Sequence, residues 1–288
     1  MAFSSYETLA HADPSFPVIF HLDQISSLRT TGNAHWHEGI ELLYCVSGTA
    51  RLVADTQTQI MLPGQLSVIP SGALHYTAKE PGQDCLYYCL IADPSLLAQI
   101  AFPSNLEIQK QIEDPAITRR YEQIIREMET QEPFYKDAVK ELVRLLFIDL
   151  YRNWSSSGIP AALPSRQPEM VKQAILYLRD HLHESLSIEN LCRQVGFSKY
   201  YFCHVFKKVT GRTVMDYTNS LRCSQARGLL ESGGCSISEC AARCGFSDVS
   251  YFTKVFKRQT GLLPSQVKVR AAEKTSSVSH DKNFEKNA

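Results

Sequence analysis

Two stretches of the chain share one pattern: SIENLCRQVGFSKYYFCHVFKKVTG (187–211) and SISECAARCGFSDVSYFTKVFKRQTG (236–261). The second copy has one extra residue after its Gly-Phe-Ser. In each copy a short segment ends at a glycine, Gly196 or Gly245, where a residue able to take positive φ lets the chain turn sharply. The segments on both sides of the glycine have helical spacing. The repeat therefore predicts two helix-turn-helix units.

The same anchoring roles recur in both copies. An aromatic residue fills the angle between the helices, a serine is the N-cap of the second helix, and two phenylalanines at i and i+4 anchor its inner face. The residues in these roles are Phe197, Ser198, Phe202 and Phe206 in the first copy, and Phe246, Ser247, Phe252 and Phe256 in the second.

The opposite face of each second helix carries mostly polar or small residues. They are Lys199, Tyr200, Cys203, His204 and Lys207 in the first copy, and Asp248, Val249, Ser250, Thr253, Lys254 and Lys257 in the second. Between the copies, TVMDYTNSLRCSQARGLLE (213–231) has helical apolar spacing and no proline. One helix of that length spans about 28 Å. It could hold two recognition helices in successive major grooves, which lie about 34 Å apart.

The formal net charge of zero is the sum of two opposite halves. Residues 1–168 have 12 Lys and Arg against 19 Asp and Glu, a net charge of −7. Residues 169–270 have 15 against 8, a net charge of +7. A compact basic module that carries a repeated helix-turn-helix pattern is typical of nucleic-acid binding.

Residues 169–271 resemble the DNA-binding domain of AraC/XylS transcription regulators, through GFSKYYFCHVFKKVTG, LRCSQARGLL and CGFSDVSYFTKVFKRQTGLLPSQV. The resemblance implies that the exposed residues of both recognition helices enter the major groove of double-stranded DNA. It also implies a transcription regulator, an activator, that responds to a small-molecule effector. Its further partners would be RNA polymerase and a second copy of the chain.

The rest of the chain separates by pattern into four regions. Residues 1–93 contain short alternating apolar runs broken by Gly and Pro, which predict an all-β barrel. Residues 94–154 have helical spacing and are expected to form a dimerisation segment, with Leu145 and Ile148 beside its main apolar stripe. The Ser- and Pro-rich stretch 155–168 is expected to be a linker, and residues 272–288 a disordered tail.

Three histidines and a glutamate in the predicted barrel have the types and spacing of a metal site. His35 and His37 are two apart, so they project the same way from a strand, and Glu41 follows at an even offset. His75, from a partner strand, would complete a set that suits a divalent transition metal. The spacing resembles the two motifs of the cupin barrel. Whether these residues hold a metal, line a metal-free effector pocket or are only structural stays open at this point.

Several broad classes of protein are disfavoured. There is no secretory signal, no apolar run long enough to span a membrane, and the nine cysteines form no C-x-x-C pair, so a reduced protein of the cytoplasm is expected. We expect a regulator and not an enzyme. Two alternatives remain: a DNA-binding protein that uses its barrel only to dimerise, and a metal-dependent cupin enzyme.

Overall fold

The computed structural model describes residues 15–26, 33–81, 83–98, 100, 106–157, 166–233 and 235–269. The chain divides into two compact units, with the boundary between Glu169 and Met170. The N-terminal unit is rich in strands and the C-terminal unit is helical, which confirms the predicted fold class. The predicted tail, 272–288, and the first part of the predicted barrel, 1–14, lie outside the described residues.

Two main sheets form the N-terminal unit. The strands are β1 (Val18–Ile25), β2 (Ile40–Ser47), β3 (Ala50–Ala54), β4 (Gln57–Met61), β5 (Leu66–Ile69), β6 (His75–Lys79), β7 (Cys85–Ala92), β8 (Leu106–Ile108), β9 (Gln111–Ile112) and β10 (Ser155–Ser157). One main sheet has the order β1-β7-β2-β5-β9 and the other β4-β3-β6, and every neighbouring pair is antiparallel.

Alternation along β2 separates two apolar cores. Leu43 and Cys45 belong to a core shared by both sheets, together with Leu52 of β3. Leu42, on the opposite face, belongs to a core that the large sheet shares with two long helices, with Tyr44 packed against it. Successive side chains on a strand point to opposite faces, so Glu41, in step with Leu43, faces the interior between the sheets.

The predicted helical segment 94–154 contains helices but is not helical throughout. Its helices are α1 (Pro94–Leu97), α2 (Pro115–Thr130) and α3 (Tyr135–Asn153), whereas β8 and β9 lie between α1 and α2. β9 pairs with β5 and extends the large sheet. The apolar stripes of α2 and α3 close over that sheet in one continuous core, so the segment is part of the barrel's own compact unit.

Both ends of the predicted linker 155–168 are in regular structure. Ser155–Ser157 form β10, which pairs antiparallel with β8 in a separate two-stranded sheet. Helix α4 begins at Arg166. Residues 158–165 lie outside the described residues.

The C-terminal unit contains six helices among its described residues: α4 (Arg166–Asp180), α5 (Ile188–Val195), α6 (Lys199–Thr210), α7 (Val214–Glu231), α8 (Ile237–Arg243) and α9 (Val249–Thr260). Gly196 and Gly245 both have φ of +77°, as the repeat predicts for the two turns. The predicted connecting helix is α7, of 18 residues and about 27 Å. No helix in the described part of the chain is long and apolar enough to cross a bilayer.

Two predicted anchors of the repeat differ in the structure. The N-cap of α9 is Asp248, not Ser247, and its carboxylate accepts a hydrogen bond from the Tyr251 amide at 2.6 Å. The extra residue of the second copy delays the helix start by one position. Phe246 is buried as predicted, but Phe197 is 36% exposed and stacks on Tyr201 instead of filling the angle between helices.

Candidate functional site

Backbone pairing brings the predicted histidines together. His35 and His75 form an antiparallel bridge in which each amide donates to the other's carbonyl, at 3.0 and 2.9 Å. Their ring centroids are 4.3 Å apart, and the ring of His37 is 5.2 Å from that of His75. His75 opens β6, so it does come from a strand. His35 and His37, which were predicted to project from one strand, precede β2 and lie outside the strands, with His35 in an isolated bridge.

Glu41 lies at the centre of this cluster. Its Oε2 is 3.0 Å from Nε2 of His37 and 2.8 Å from Nε2 of His75. One potential ligand atom from each of His35, His37, Glu41 and His75 lies within 4.8 Å of the other three. All but His35 are buried. The structure thus gathers the four residues into one compact group in the barrel interior.

The hydrogen bonds of the histidines fix which nitrogen faces the cluster. In His35, His37 and His75, Nδ1 lies 2.8–3.0 Å from a backbone carbonyl oxygen, of Asn33, Gly39 and Ala73 respectively. A carbonyl can only accept, so Nδ1 carries the proton in each ring. Nε2 of each ring is then the atom left to bind at the centre, the arrangement usual for metal-ligating histidines.

The donor set fits a divalent transition metal. A neutral imidazole has one N–H, yet both nitrogens of His37 and of His75 face oxygen acceptors. Either both rings carry an extra proton, or a bound cation takes the place of those protons. Ligand atoms about 2.1 Å from one ion are at most about 4.2 Å apart, so the group needs only a small contraction.

The pKa values of His35 and Glu41 are both lowered, which makes the imidazole neutral and keeps the carboxylate charged. Burial and the nearby His75 lower the pKa of His35 from 6.5 to about 3. Burial tends to raise the pKa of Glu41, but the charge of His75 and the hydrogen bonds from His37 and His75 together hold it well below its ordinary value. Glu41 is therefore a carboxylate, and His35 is neutral, at physiological pH. Both are in the form that a metal ligand requires.

Cys89 of β7 was not among the predicted site residues. Its thiol donates to Oε1 of Glu41 at 3.2 Å, which leaves Oε2 to face the histidines. Cys89 sits opposite Leu43 in the β2–β7 register, one strand away from the motif. A sequence pattern does not contain that register, so nothing in the spacing of the histidines points to Cys89.

The predicted DNA-contacting residues are mostly exposed, on the outer faces of α6 and α9. Exposed members are Lys199, Tyr200, His204, Lys207, Asp248, Val249, Ser250, Lys254 and Lys257, while Cys203 and Thr253 are half-buried. Three of the set have local partners. Lys199 pairs with Glu189 at 2.6 Å, the Thr253 hydroxyl donates to the Val249 carbonyl, and Asp248 caps α9.

Four further residues at these helices are exposed but were not predicted. Tyr201 and Tyr251, 41% and 48% exposed, occupy the same position in the two copies. Lys208 and Arg258 are exposed in the last turns of α6 and α9. The sequence does not point to the tyrosines, because an aromatic residue beside a buried phenylalanine is as typical of a core as of a surface. The basic pair could have been found from its place beside Lys207 and Lys257.

Comparison with known families assigns both units. Residues 16–147 match the AraC-like ligand-binding domain, and residues 191–270 match a helix-turn-helix domain of the type found in AraC proteins. The chain belongs to the AraC family. The AraC-like ligand-binding match includes all four residues of the barrel cluster, and the helix-turn-helix match includes both recognition helices.

Individual relatives of this AraC-family chain match over part of their length. The HTH-type transcriptional activator RhaR of Enterobacter sp. (strain 638) is 31% identical over 51% of this chain and 53% of its own. RhaR of Salmonella dublin is 30% identical over 50% and 52%. The chain therefore spans about half the length of these relatives. A crystal structure of apo ToxT from Vibrio cholerae is 14% identical, covers 88% of this chain and 97% of ToxT, and has a TM-score of 0.47.

Proposed function

We propose that the chain is a sequence-specific transcription activator whose DNA binding is controlled by what its barrel holds. The observation that carries this proposal is a pair of exposed recognition helices on a module of net charge +7. The same chain has a cluster of side chains inside the barrel that could hold a metal or an effector. Activation, and with it contact with RNA polymerase, is inferred from the RhaR relatives, which are transcriptional activators. The chain would work in the cytoplasm, with the DNA.

The proposed mode of reading follows from side-chain chemistry. His204 and Lys254, on the exposed middle of α6 and α9, are proposed to contact base edges, where one good contact discriminates by about 1–3 kcal/mol. Lys207 and Lys257, in the last turns, are proposed to contact phosphates, which position the protein without reading sequence. Tyr200, 87% exposed, offers an apolar edge to thymine methyl groups.

The barrel cluster is proposed to hold a divalent transition metal through Nε2 of His35, His37 and His75 and a carboxylate oxygen of Glu41. When bound, such an ion supplies a Lewis-acidic point to which an oxygen of an organic effector can coordinate. Cys89 and the three backbone carbonyls orient the ligands. A metal-free pocket lined by the same residues is the competing interpretation.

Metal content and DNA affinity together test this proposal. The full chain is purified without chelator or histidine tag, and its metal is measured by elemental analysis. Its binding is measured on a duplex that the chain itself selects from a random library. We expect about one ion per chain, lost in His37→Ala and retained in His21→Ala, whose histidine is exposed on β1. We also expect DNA affinity to change when the metal is removed by EDTA and to return with Zn²⁺ or Mn²⁺.

Each alternative function predicts a different result. Selective DNA binding that is indifferent to metal, to His37→Ala and to small-molecule extracts would indicate an effector-independent protein with a purely dimerising barrel. Effector-dependent binding without metal would indicate the metal-free pocket. A chain that selects no duplex but converts a small molecule in a metal-dependent way would be a cupin enzyme, and the proposal would be wrong.

A second copy of the chain is the proposed partner of α3. Leu145 is 45% exposed on this helix although its neighbour Leu146 is fully buried, and Ile148, three residues on, is only half-buried. Residues three apart share a helix face, so the two form an apolar strip outside the barrel core. Pairing α3 with α3 of another copy would cover both strips.

A further inference from the structure

The turns of the two helix-turn-helix units pack differently although their sequences match. A Cβ added to Gly196 would meet open space, whereas a Cβ on Gly245 would lie 2.2 Å from the carbonyl oxygen of Leu182. Phe197 is 36% exposed, while Phe246 at the same position of the second copy is 5% exposed. The turn of the second unit is thus pressed against the segment that joins α4 to α5.

Arg222 is the side chain at that junction. It projects from α7 and is 7% exposed. Its Nε donates to the Leu182 carbonyl at 2.8 Å and its Nη2 to the Glu184 carbonyl at 2.6 Å. Its guanidinium carbon lies 5.7 Å from the ring centroid of Phe246. One side chain of the connecting helix therefore contacts both the segment that leads into the first helix-turn-helix unit and the turn of the second unit.

The contacts of Arg222 are directional hydrogen bonds and not ion pairs. Among the described residues no carboxylate forms an ion pair with it, and its guanidinium donates to the backbone carbonyls of Leu182 and Glu184. A planar guanidinium presents its donors in a rigid fork and stacks on an aromatic ring, which a lysine ammonium does not do. The bridge is therefore directional, and it depends on the shape of arginine.

The connecting helix α7 also contacts α9, through a hydrogen bond and an ion pair. Asn219, one turn before Arg222, is 2% exposed and its Nδ2 lies 3.1 Å from the Tyr251 hydroxyl. Near the start of α7, Asp216 pairs with Arg258 of α9 at 3.3 Å. These contacts fix α9 to α7, while Arg222 fixes α7 to the entry of the first unit.

We propose that Arg222 is a positioning residue that sets the placement of α9 relative to α6, and with it the spacing between the two DNA segments that the chain reads. It does so without touching DNA, because one guanidinium contacts both the Leu182–Glu184 backbone and the Gly245–Phe246 turn. The inference rests on the proposed reading of DNA by both helices.

The test uses the full chain and the duplex that wild type selects from a random library. One base pair is added or removed between the two protected segments, and in a third duplex one segment is scrambled. Arg222→Lys and Arg222→Met are compared with Arg227→Met, whose arginine is exposed on the same helix and paired with Glu231. Thermal unfolding is measured in parallel, and affinities are corrected for the active fraction.

Wild type and Arg227→Met should prefer the selected spacing by about tenfold or more, since a misplaced helix loses at least one base contact. In the Arg222 variants that ratio should fall to within about twofold, as the selected duplex loses affinity while the scrambled duplex does not. A spacing ratio unchanged from wild type in a folded Arg222 variant overturns the proposal.

Three other outcomes are equally decisive. Wild type that tolerates the altered spacing has no fixed placement to explain, and unfolding of both variants makes Arg222 a folding residue; either result overturns the inference alone. If wild type selects no duplex at all, the proposed DNA-binding function fails instead.

Discussion

At residue 41 a carboxylate faces two imidazoles in an interior closed to solvent, and this makes the N-terminal unit sensitive to acid. The pKa of His35 is lowered from 6.5 to about 3, so between these values the unfolded chain binds more protons than the folded one. Glu41, whose pKa is held below its ordinary value, adds a further loss of stability below about pH 4.5.

The contribution of His35 to the free energy of unfolding of the metal-free protein should therefore fall as pH is lowered from about 6.5. Urea titrations at pH 7, 6 and 5 measure this change. His35→Gln, which removes the titrating ring, should flatten the dependence, and His21→Gln, at an exposed position, should not. Equal slopes in wild type and His35→Gln would contradict the assignment to His35.

The phenylalanine anchors give a prediction for the C-terminal unit. Phe206 and Phe256 are fully buried, so replacing either by alanine should cost about 3–5 kcal/mol of unfolding free energy. Tyr200→Ala, at 87% exposure, should change it by about 0.5 kcal/mol or less. Denaturant unfolding of the full chain, followed by circular dichroism, provides the values. A loss below about 1 kcal/mol in both Phe variants would mean that these rings do not hold the units.

Single residues also mark where sequence reasoning stops. His35, His37, Glu41 and His75 could be grouped from their residue types and spacing, although the expected strand through His35 and His37 is not present: His35 is in an isolated bridge and β2 begins at Ile40. Cys89 could not, because its approach to Glu41 depends on the β2–β7 register. The different burial of equivalent Phe197 and Phe246 likewise depends on Arg222 and Leu182, which lie outside the repeated stretch.

At the scale of elements, periodicity predicts long helices well and short strands poorly. The α3 stripe and α7 are found where the pattern places them. β8, β9 and β10 have two or three residues each, which is too few for an alternating pattern to be visible. Each depends on a partner strand distant in the sequence: β9 pairs with β5, and β8 pairs with β10.

The exposed strip of α3 predicts a change of oligomeric state. Leu145→Glu with Ile148→Lys should give a folded monomer, because pairing of the helices would remove two charged side chains from water. Leu145→Met with Ile148→Leu keeps the strip apolar and should remain dimeric. Light scattering measures the mass of each. If the charged variant stays dimeric, the interface lies elsewhere on the chain.

At the scale of the whole molecule, the charge division predicts that DNA binding belongs to one unit. A fragment of residues 166–271 contains both helix-turn-helix units and should fold and bind the selected duplex. Its log–log affinity should fall with salt at about −0.9 per phosphate contact between 50 and 200 mM. EDTA should leave this fragment unaffected while it alters the full chain. A folded fragment with no salt-dependent binding would place DNA recognition outside these residues.

The unlike packing of the two turns also has a consequence for how the chain lies along DNA. A dimer of identical helix-turn-helix units reads a palindrome, which looks the same from either end. Here one chain carries two readers that differ in N-cap, in exposed side chains and in what supports them. The DNA sequence that they bind is therefore not palindromic, and the chain binds it in one orientation. A regulator of this kind has an upstream and a downstream face even as a single molecule, and the orientation of its binding site decides which of them a neighbour on the DNA meets.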